Sequence, residues 1–312
     1  MDTSNILQQV TRTVYGSHLQ TARVLRRPLD IREYTTLNEA VNDEVKIPFQ
    51  PTILTQGMQE CEVYDAMNDS DDVQIGYVAI GNGGHTTSVS SQSQVSYMGL
   101  NVHQSTDAAP FRMLPFVCRP ADHDIPDDER ANYRLRKTLL IDGQLYVAYY
   151  LKVLDFSNSE IEMNIARTIN GKTIESVFIP TVNNLRATPV EPGVENDGTK
   201  TYVTAKAVFD FNEKDVNYFI EACENLYGSS NEAIISELAF CSGVDKPIVR
   251  SYPVSGAQTS NSTIKARNLK EAVAVQVCCF ANTYYQANFG MLGFTVPFDI
   301  GASEPLFGKT RR

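Results

Sequence analysis

Two short turn signals lie between runs of β-forming residues in the middle of the chain. Asp142-Gly143 separates LRKTLLI from QLYVAYYLKVL, and Asn170-Gly171 follows an alternating apolar stretch that begins at Ile161. Asp-Gly and Asn-Gly between such runs are typical of two-residue β-hairpin turns. The pattern predicts two antiparallel hairpins and therefore a fold rich in β structure.

One helix is predicted with defined ends. Residues 201–211 alternate, with an apolar side chain at every second position, and the apolar period then becomes helical. Asn212 suits the N-cap of the helix, and Gly228 suits its C-terminal stop. The sequence therefore predicts an amphipathic helix over 212–227 whose apolar side packs on a sheet.

These elements indicate a mainly β (α+β) fold, with antiparallel sheets or a sandwich, a few peripheral helices and an extended N-terminal arm. The 312 residues are enough for one large or two ordinary domains. A loop rich in proline and glycine over 180–200 indicates a boundary. We expect an N-terminal arm and connector over 1–48, a β-rich domain over 49–185, and a second β-rich domain over 186–312 that ends in a tail.

Composition excludes several classes of protein. The formal net charge of -10 argues against a protein whose main task is to bind nucleic-acid phosphates. The chain has no run of 18 apolar residues, and its N-terminus lacks a signal-peptide pattern, so neither a membrane span nor signal-directed secretion is expected. The six cysteines have no metal-site spacing, and we expect reduced thiols. Cys278 and Cys279 are interpreted as packing residues on opposite faces of a strand.

Charge is segregated along the first 72 residues. Arginines dominate residues 1–36, whereas residues 38–72 carry nine acids against one lysine. Opposite charges arranged in this way can pair within one subunit or between neighbouring subunits, and ordinary solvated surface is the other interpretation. Tyrosines near the C-terminus are equally compatible with a core or an interface. The interface candidates are Arg12, Arg23, Arg26, Arg27, Tyr284, Tyr285 and Phe307.

The usual sequence signals of catalysis are missing. There is no G-x-S-x-G elbow and no H-E-x-x-H pair among the few histidines. If the protein is an enzyme, the best candidate for its catalytic histidine is His85 or His123, each of which has acidic residues nearby. No catalytic, cofactor-binding or metal-binding residue is assigned, and no cofactor is expected. The acidic run 68–72 lacks the glycine and the distal glutamate of a calcium loop, so a solvated turn is the preferred interpretation.

A glycine-rich segment, Gly81-Asn82-Gly83-Gly84, follows a predicted strand. Glycines of this kind can let backbone N–H groups approach a phosphate. A phosphate loop should open a helix, yet the following HTTSVSSQSQVSYMG has no helical period. We therefore disfavour nucleotide binding and expect a tight turn in which glycine adopts positive φ.

The order of three segments resembles a known family. A strand that ends in Gly-Asn-Gly-Gly (78–84), an alternating strand (202–211) and then Ile-Ser-Glu-Leu-Ala-Phe-Cys-Ser-Gly (235–243) is similar to tail-collar and tail-fibre attachment domains of tailed bacteriophages. The block from Leu114 to Lys152 also resembles phage virion structural proteins. The chain departs from the collar pattern at Cys241-Ser-Gly243, where an acidic turn is usual, and in its long middle insertion.

This resemblance implies a non-enzymatic structural subunit of the virion, assembled in the host bacterial cytoplasm. Such a subunit forms a ring or adaptor at the tail, baseplate, collar or neck, and its partners are copies of itself and other virion tail or neck proteins. An alternative is a tail-fibre binding module, in which the Ser88–Gln104 loop and the tyrosines contact a host-surface glycan or protein. An enzyme is the third reading.

Overall fold

A computed structural model describes residues 10–27, 29, 31–32, 35–38, 72–89, 95–157, 159–169, 172–183, 200–248, 251–253, 263–265, 269–287 and 293–302. Strands dominate these ranges, and the strand pairs are antiparallel, which confirms the predicted mainly β (α+β) class. The helices are α1 (Val14–Leu25), α2 (Asp127–Arg130) and α3 (Glu213–Tyr227), with 3₁₀ turns at Ala121–His123 and Ser230–Glu232. The strands are β1 (Val10–Arg12), β2 (Gln74–Gly81), β3 (His85–Val89), β4 (Val95–Leu100), β5 (Met113–Leu114), β6 (Val117–Pro120), β7 (Tyr133–Ile141), β8 (Gln144–Val153), β9 (Ile161–Ile169), β10 (Lys172–Val177), β11 (Lys200–Asn212), β12 (Ile234–Ile248), β13 (Ser251–Pro253), β14 (Thr263–Lys265), β15 (Leu269–Gln286) and β16 (Gly293–Ala302).

The larger of two compact units comprises residues 1–154 and 211–293. Its eight-stranded sheet has the order β1-β15-β12-β2-β8-β6, with β5 added to β2 and β7 added to β8. Leu238 of β12 lies opposite Ala281 on one side and Ile80 on the other. Leu238, Ala239 and Phe240 point to alternate faces of the sheet and are all buried, so β12 is covered on both faces.

The hairpin predicted around Asp142-Gly143 is confirmed. Strands β7 and β8 pair up to Ile141 and Gln144, and the two turn residues have φ values of 47° and 83°. Two successive positive φ values give the turn the twist that matches right-handed strands. Tyr149 and Tyr150 of β8 are each 1% exposed, so this strand belongs to the core.

The predicted amphipathic helix is also confirmed as α3. The Asn212 side chain accepts the N–H groups of Lys214 and Asp215, and the Asp215 carboxylate accepts the N–H of Asn212, which completes a capping box. Gly228 ends the helix with a φ of 69°. The apolar side of α3 packs beside β6, where Asn225 Nδ2 donates to the Cys118 carbonyl at 2.8 Å.

The structure corrects the expected extended N-terminal arm over residues 10–25. This segment forms β1, which pairs with β15, followed by the docked helix α1. Thr13 caps α1 by accepting the Gly16 N–H, and its own hydroxyl donates to the Val277 carbonyl at 2.6 Å. Leu19 and Ala22 lie one turn apart and are both buried, which holds the helix on the sheet.

The smaller unit comprises residues 155–210 and 294–312. Its four-stranded sheet has the order β10-β9-β11-β16. Strands β9 and β10 pair antiparallel as the second predicted hairpin, whose turn residues Asn170 and Gly171 lie outside the described residues. The two units interleave along the chain, unlike the contiguous domains expected from the sequence. Across the described ranges, every helix is too short or too polar to cross a bilayer.

Candidate functional site

The two segments that are most distinctive in the sequence meet in space. Strand β2 leads into Gly81-Asn82-Gly83-Gly84, and it pairs with β12, which contains Ile235-Ser-Glu-Leu-Ala-Phe. In this register Gly81 lies directly opposite Glu237, although more than 150 residues separate them. The glycine-rich loop is therefore held against the middle of the large sheet.

The carboxylate of Glu237 is fully buried and fully hydrogen-bonded. Its Oε1 accepts the backbone N–H of Gly83 at 3.0 Å and that of Arg112 at 3.1 Å. Its Oε2 accepts the backbone N–H of Phe111 at 3.1 Å and faces Nε2 of His103 at 2.8 Å. Four polar partners replace the water that an exposed carboxylate would have, which is what burial of a charge requires. We call Glu237 and these four partners the carboxylate cradle.

His103 lies between two carboxylates and two aromatic rings. Its Nδ1 faces Asp107 Oδ2 at 3.0 Å while its Nε2 faces Glu237. The ring stacks on Phe280 and Phe111 with centroid distances of 3.6 and 4.0 Å. His103 is thereby fixed in position on all sides.

The prediction of a positive-φ turn at the glycine-rich loop is wrong. None of the three glycines has φ in the left-handed region. They are required by close approach instead: a Cβ on Gly81 would lie 2.4 Å from Glu237 Oε1, and a Cβ on Gly84 would lie 2.4 Å from the Ser236 carbonyl oxygen. On Gly83 it would lie 2.6 Å from the Phe111 side chain. The loop needs glycine because only a bare backbone fits against β12.

One N–H of the loop, that of Gly83, binds a carboxylate of the protein itself, and the N–H groups of Phe111 and Arg112 complete the site. Backbone N–H groups surround a negative oxygen pair, as in a phosphate loop, and the pair is the carboxylate of Glu237. Further bonds hold the loop, since Gly84 N donates to Ser236 Oγ at 2.9 Å and Asn282 Nδ2 donates to the Gly84 carbonyl at 3.2 Å. The arrangement can lock two distant segments together, and the Gly83 N–H is already occupied.

The two histidines named for an enzyme reading lie in different settings. His85 begins β3, and its ring meets Tyr284 edge to face at 6.2 Å. Burial lowers the pKa of His85, and the negative charge of Glu237 opposes that shift. His123 is exposed and lies 3.0 Å from the carboxylate of its neighbour Asp122. The histidine of the carboxylate cradle is His103, which the sequence analysis did not select. The sequence feature that could have indicated it is its partner Glu237, a lone acid inside an apolar strand.

A second buried carboxylate, Asp215, joins α3 to the sheet. It accepts the Tyr133 hydroxyl and the Lys152 ammonium, in addition to the N–H of Asn212 at 2.8 Å. Asp215 is only 3% exposed, so these donors replace its hydration. One side chain therefore caps the helix and ties it to strands β7 and β8.

A third carboxylate, Asp245 of β12, forms a bidentate pair with Arg134 of β7. The Arg134 Nε and Nη2 atoms donate to the two Asp245 oxygens at 2.8 and 2.9 Å, and the Tyr77 hydroxyl donates to Oδ1 at 2.7 Å. Burial alone would raise the pKa of Asp245, but the hydrogen bonds from Arg134 and Tyr77 outweigh it and lower that pKa. Burial and the Asp245 charge raise the pKa of Tyr77, which stays a donor.

The predicted interface arginines divide into two pairs. Arg12 donates to Gln20, and Arg23 forms an ion pair with Asp72 and donates to the Val73 carbonyl. Arg26 and Arg27 are exposed at the end of α1, where Arg26 has a φ of 51°. The contact of Arg23 with Asp72 is one instance of basic and acidic segments pairing within the subunit.

The aromatic interface candidates lie in β15 or beyond the described residues. Tyr284 packs against His85, and Tyr285 lies opposite Ile235 in the pairing with β12. Both tyrosines are partly buried, and Phe307 lies outside the described residues. The acidic run 68–72 is likewise outside them apart from Asp72. In the ranges that the structure describes, no three His, Cys, Asp or Glu residues are grouped so that they could hold a metal ion.

Comparison with known proteins gives one match. The model of the family of unknown function DUF7208 matches residues 57–312, which include both segments of the carboxylate cradle. No curated protein matches the chain, and no solved structure matches it.

Proposed function

We propose that this chain, which belongs to the family of unknown function DUF7208, is a structural subunit of a tailed bacteriophage particle. In that role it forms a ring or adaptor at the tail, baseplate, collar or neck through symmetric contacts. Its partners are copies of itself and other virion proteins. The proposal rests on the resemblance of the Gly-Asn-Gly-Gly and Ile-Ser-Glu-Leu-Ala-Phe segments to tail-collar and tail-fibre attachment domains.

The observation that carries the proposal is the convergence of those two segments on Glu237. Both segments contribute to one buried network, so their residues serve to fix the fold. The ring nitrogens of His103 both face carboxylates, and its side chain is 0% exposed. A histidine with both ring nitrogens occupied and no exposed side-chain surface does not contact a substrate, which favours a scaffold over an enzyme.

The test is quantitative mass spectrometry of purified particles from the source that encodes this chain. We expect the chain in a fixed ratio to the tail proteins, because a ring or adaptor has a constant number of copies. An abundant host cytoplasmic protein serves as the control for contamination. Absence of the chain from particles that are free of that marker would contradict the proposal.

A host-surface binding module is the second candidate. The observation that favours it is the separate two-stranded sheet of β3 and β4, which begins at His85 and includes part of the Ser/Gln-rich segment. A glycan array and a cell-binding assay with the purified chain test this reading. Retention on a defined glycan would support it, and no retention in either assay would remove it.

A further inference from the structure

Exposed aliphatic side chains are concentrated in the smaller unit. Ile161 and Met163 of β9 are 77% and 42% exposed, Ile174 of β10 is 53% exposed, and Val203 of β11 is 42% exposed. We call these four residues the apolar face. Four more exposed aliphatic residues lie in the same segment, namely Val177, Ile179, Val182 and Val208.

The register of the strands puts the four residues on one side of the sheet. Ile161 and Met163 are two positions apart, and Met163 lies directly opposite Val203. Ile174 lies opposite position 167, which has the same parity as Ile161 and Met163. Since directly paired residues point to the same side of a sheet, all four share one side.

The other side of this sheet is mostly polar. There Asn164 Nδ2 donates to Thr204 Oγ1 at 3.1 Å, Glu175 is exposed and Glu162 is half-buried, while Val177 opposite Asn164 is an exposed apolar residue. A sheet that exposes its apolar side together with its polar side lacks a covering layer on the apolar side. The four residues of the apolar face together expose roughly 300 Å² of apolar surface, the size of patch that often marks a contact site on a monomer. Pairing along β10 adds to this area, toward the roughly 800 Å² that each partner contributes to a stable interface.

Strand β10 lies at the end of the described sheet order, and all six of its residues are exposed. A second β10 can pair with it antiparallel about a two-fold axis. If the axis passes through Ile174, the two copies of Ile174 lie side by side and the two apolar faces become continuous. A register centred on Glu175 would instead oppose two like charges.

We infer that the apolar face and the edge strand β10 bind a second copy of this chain. Two-fold contacts between identical surfaces are the commonest form of protein assembly, and a self-complementary strand meets their geometric requirement. The inference names the surface for the subunit contacts proposed above, and it rests on that proposed function for its purpose in a particle.

The experiment measures the mass of the full purified chain by light scattering after size exclusion, from about 1 µM to about 1 mM. The variants are Met163→Lys and Ile174→Lys, which place a charge in the contact. The control is Leu145→Lys on β8, a residue 40% exposed in the larger unit. We expect a dimer or a higher multiple for the wild type and the control, and dissociation constants at least about tenfold higher for the two variants.

Circular dichroism and the urea midpoint of each variant establish that it is folded. A monomeric wild-type chain over the whole concentration range would overturn the inference and leave this surface to another protein. Equal association of Met163→Lys, Ile174→Lys and wild type would overturn it as well. The result is independent of the particle measurement: a chain found in virions can be monomeric, and a dimer can be absent from virions.

Discussion

At the scale of single residues, buried carboxylates distinguish this chain from an ordinary β protein. Glu237 and Asp215 are buried and Asp245 is half-buried, and each accepts hydrogen bonds from groups far away in sequence. A buried charge without partners costs several kcal/mol, and the geometry that supplies all its partners is available only in the native fold. Such residues therefore select one arrangement of strands over others of similar apolar burial.

Replacement of Glu237 by glutamine tests the carboxylate cradle. Glutamine has the same size, but its side-chain NH₂ group would face backbone N–H groups whose hydrogen bonds the Glu237 carboxylate accepts. We expect Glu237→Gln to lower the free energy of unfolding by about 3 kcal/mol, as measured by urea denaturation. Glu232→Gln is the control, because the 39% exposed Glu232 side chain forms a surface pair with Arg112 and should change stability by less than about 1 kcal/mol. Equal effects of the two changes would argue against the cradle.

The cysteines provide a second prediction at this scale. Burial raises the pKa of Cys118 to about 12 and that of Cys279 to about 11, and it also raises the pKa of Cys223, Cys241 and Cys278. The reactive form is the thiolate, so labelling of the native protein should be slower by roughly two orders of magnitude than labelling in urea. The measurement uses a chromogenic disulfide reagent on a Cys61→Ser variant. Rapid native labelling of any of the five would contradict it.

At the scale of elements, the distance between strand and loop sets the requirement for glycine. Strand β2 contains Gly76 and Gly81, and neither has φ in the left-handed region. A Cβ on Gly76 would have no heavy atom within 4 Å, whereas a Cβ on Gly81 would enter the space of Glu237 and of the Arg112 carbonyl. The same residue type in one strand therefore has two different roles.

The pair Gly81→Ala and Gly76→Ala tests this difference with matched substitutions. We expect Gly81→Ala to destabilise the protein by about 1–3 kcal/mol, because the added methyl group pushes into backbone and carboxylate atoms. Gly76→Ala should be neutral or stabilise by less than about 1 kcal/mol, since alanine restricts the unfolded chain. Urea midpoints of the two variants measure both effects. A Gly76→Ala loss as large as that of Gly81→Ala would show that close approach is not the reason.

At the scale of the whole molecule, ion pairs between distant strands make stability depend on pH. The bidentate contact of Arg134 with Asp245 joins β7 to β12, and it lowers the pKa of Asp245 in the folded state. A carboxylate with a lowered folded pKa stabilises the protein above its unfolded pKa, which is about 3.9 for aspartate. That stability is lost as the pH falls through the lowered folded pKa. The larger unit should therefore weaken in acid.

Asp245→Asn tests this pH dependence. The variant should be less stable than wild type at pH 7, and the difference should shrink as the pH falls below about 4, because protonation removes the same charge from the wild type. Urea midpoints measured from about pH 2.5 to about pH 7 give the two curves. Asp128→Asn is the control: Asp128 is exposed in α2, so its replacement should leave the urea midpoint nearly unchanged across the same pH range. A constant difference between wild type and Asp245→Asn at every pH would contradict the prediction.

Elements that are determined by neighbouring residues could be predicted from the sequence, and features that are determined by distant residues could not. Turn chemistry at Asp142-Gly143 and the change of apolar period at Asn212 are local, so the β7–β8 hairpin and α3 could be predicted from sequence. The carboxylate cradle joins Gly83, His103 and Glu237, and no local pattern states which histidine meets which acid. The two interleaved units likewise arise because β16 returns to the sheet of β9 to β11 after residues 211–293 have added to the larger unit. Tertiary structure alone decided these features, because close approach and burial are properties of the packed chain.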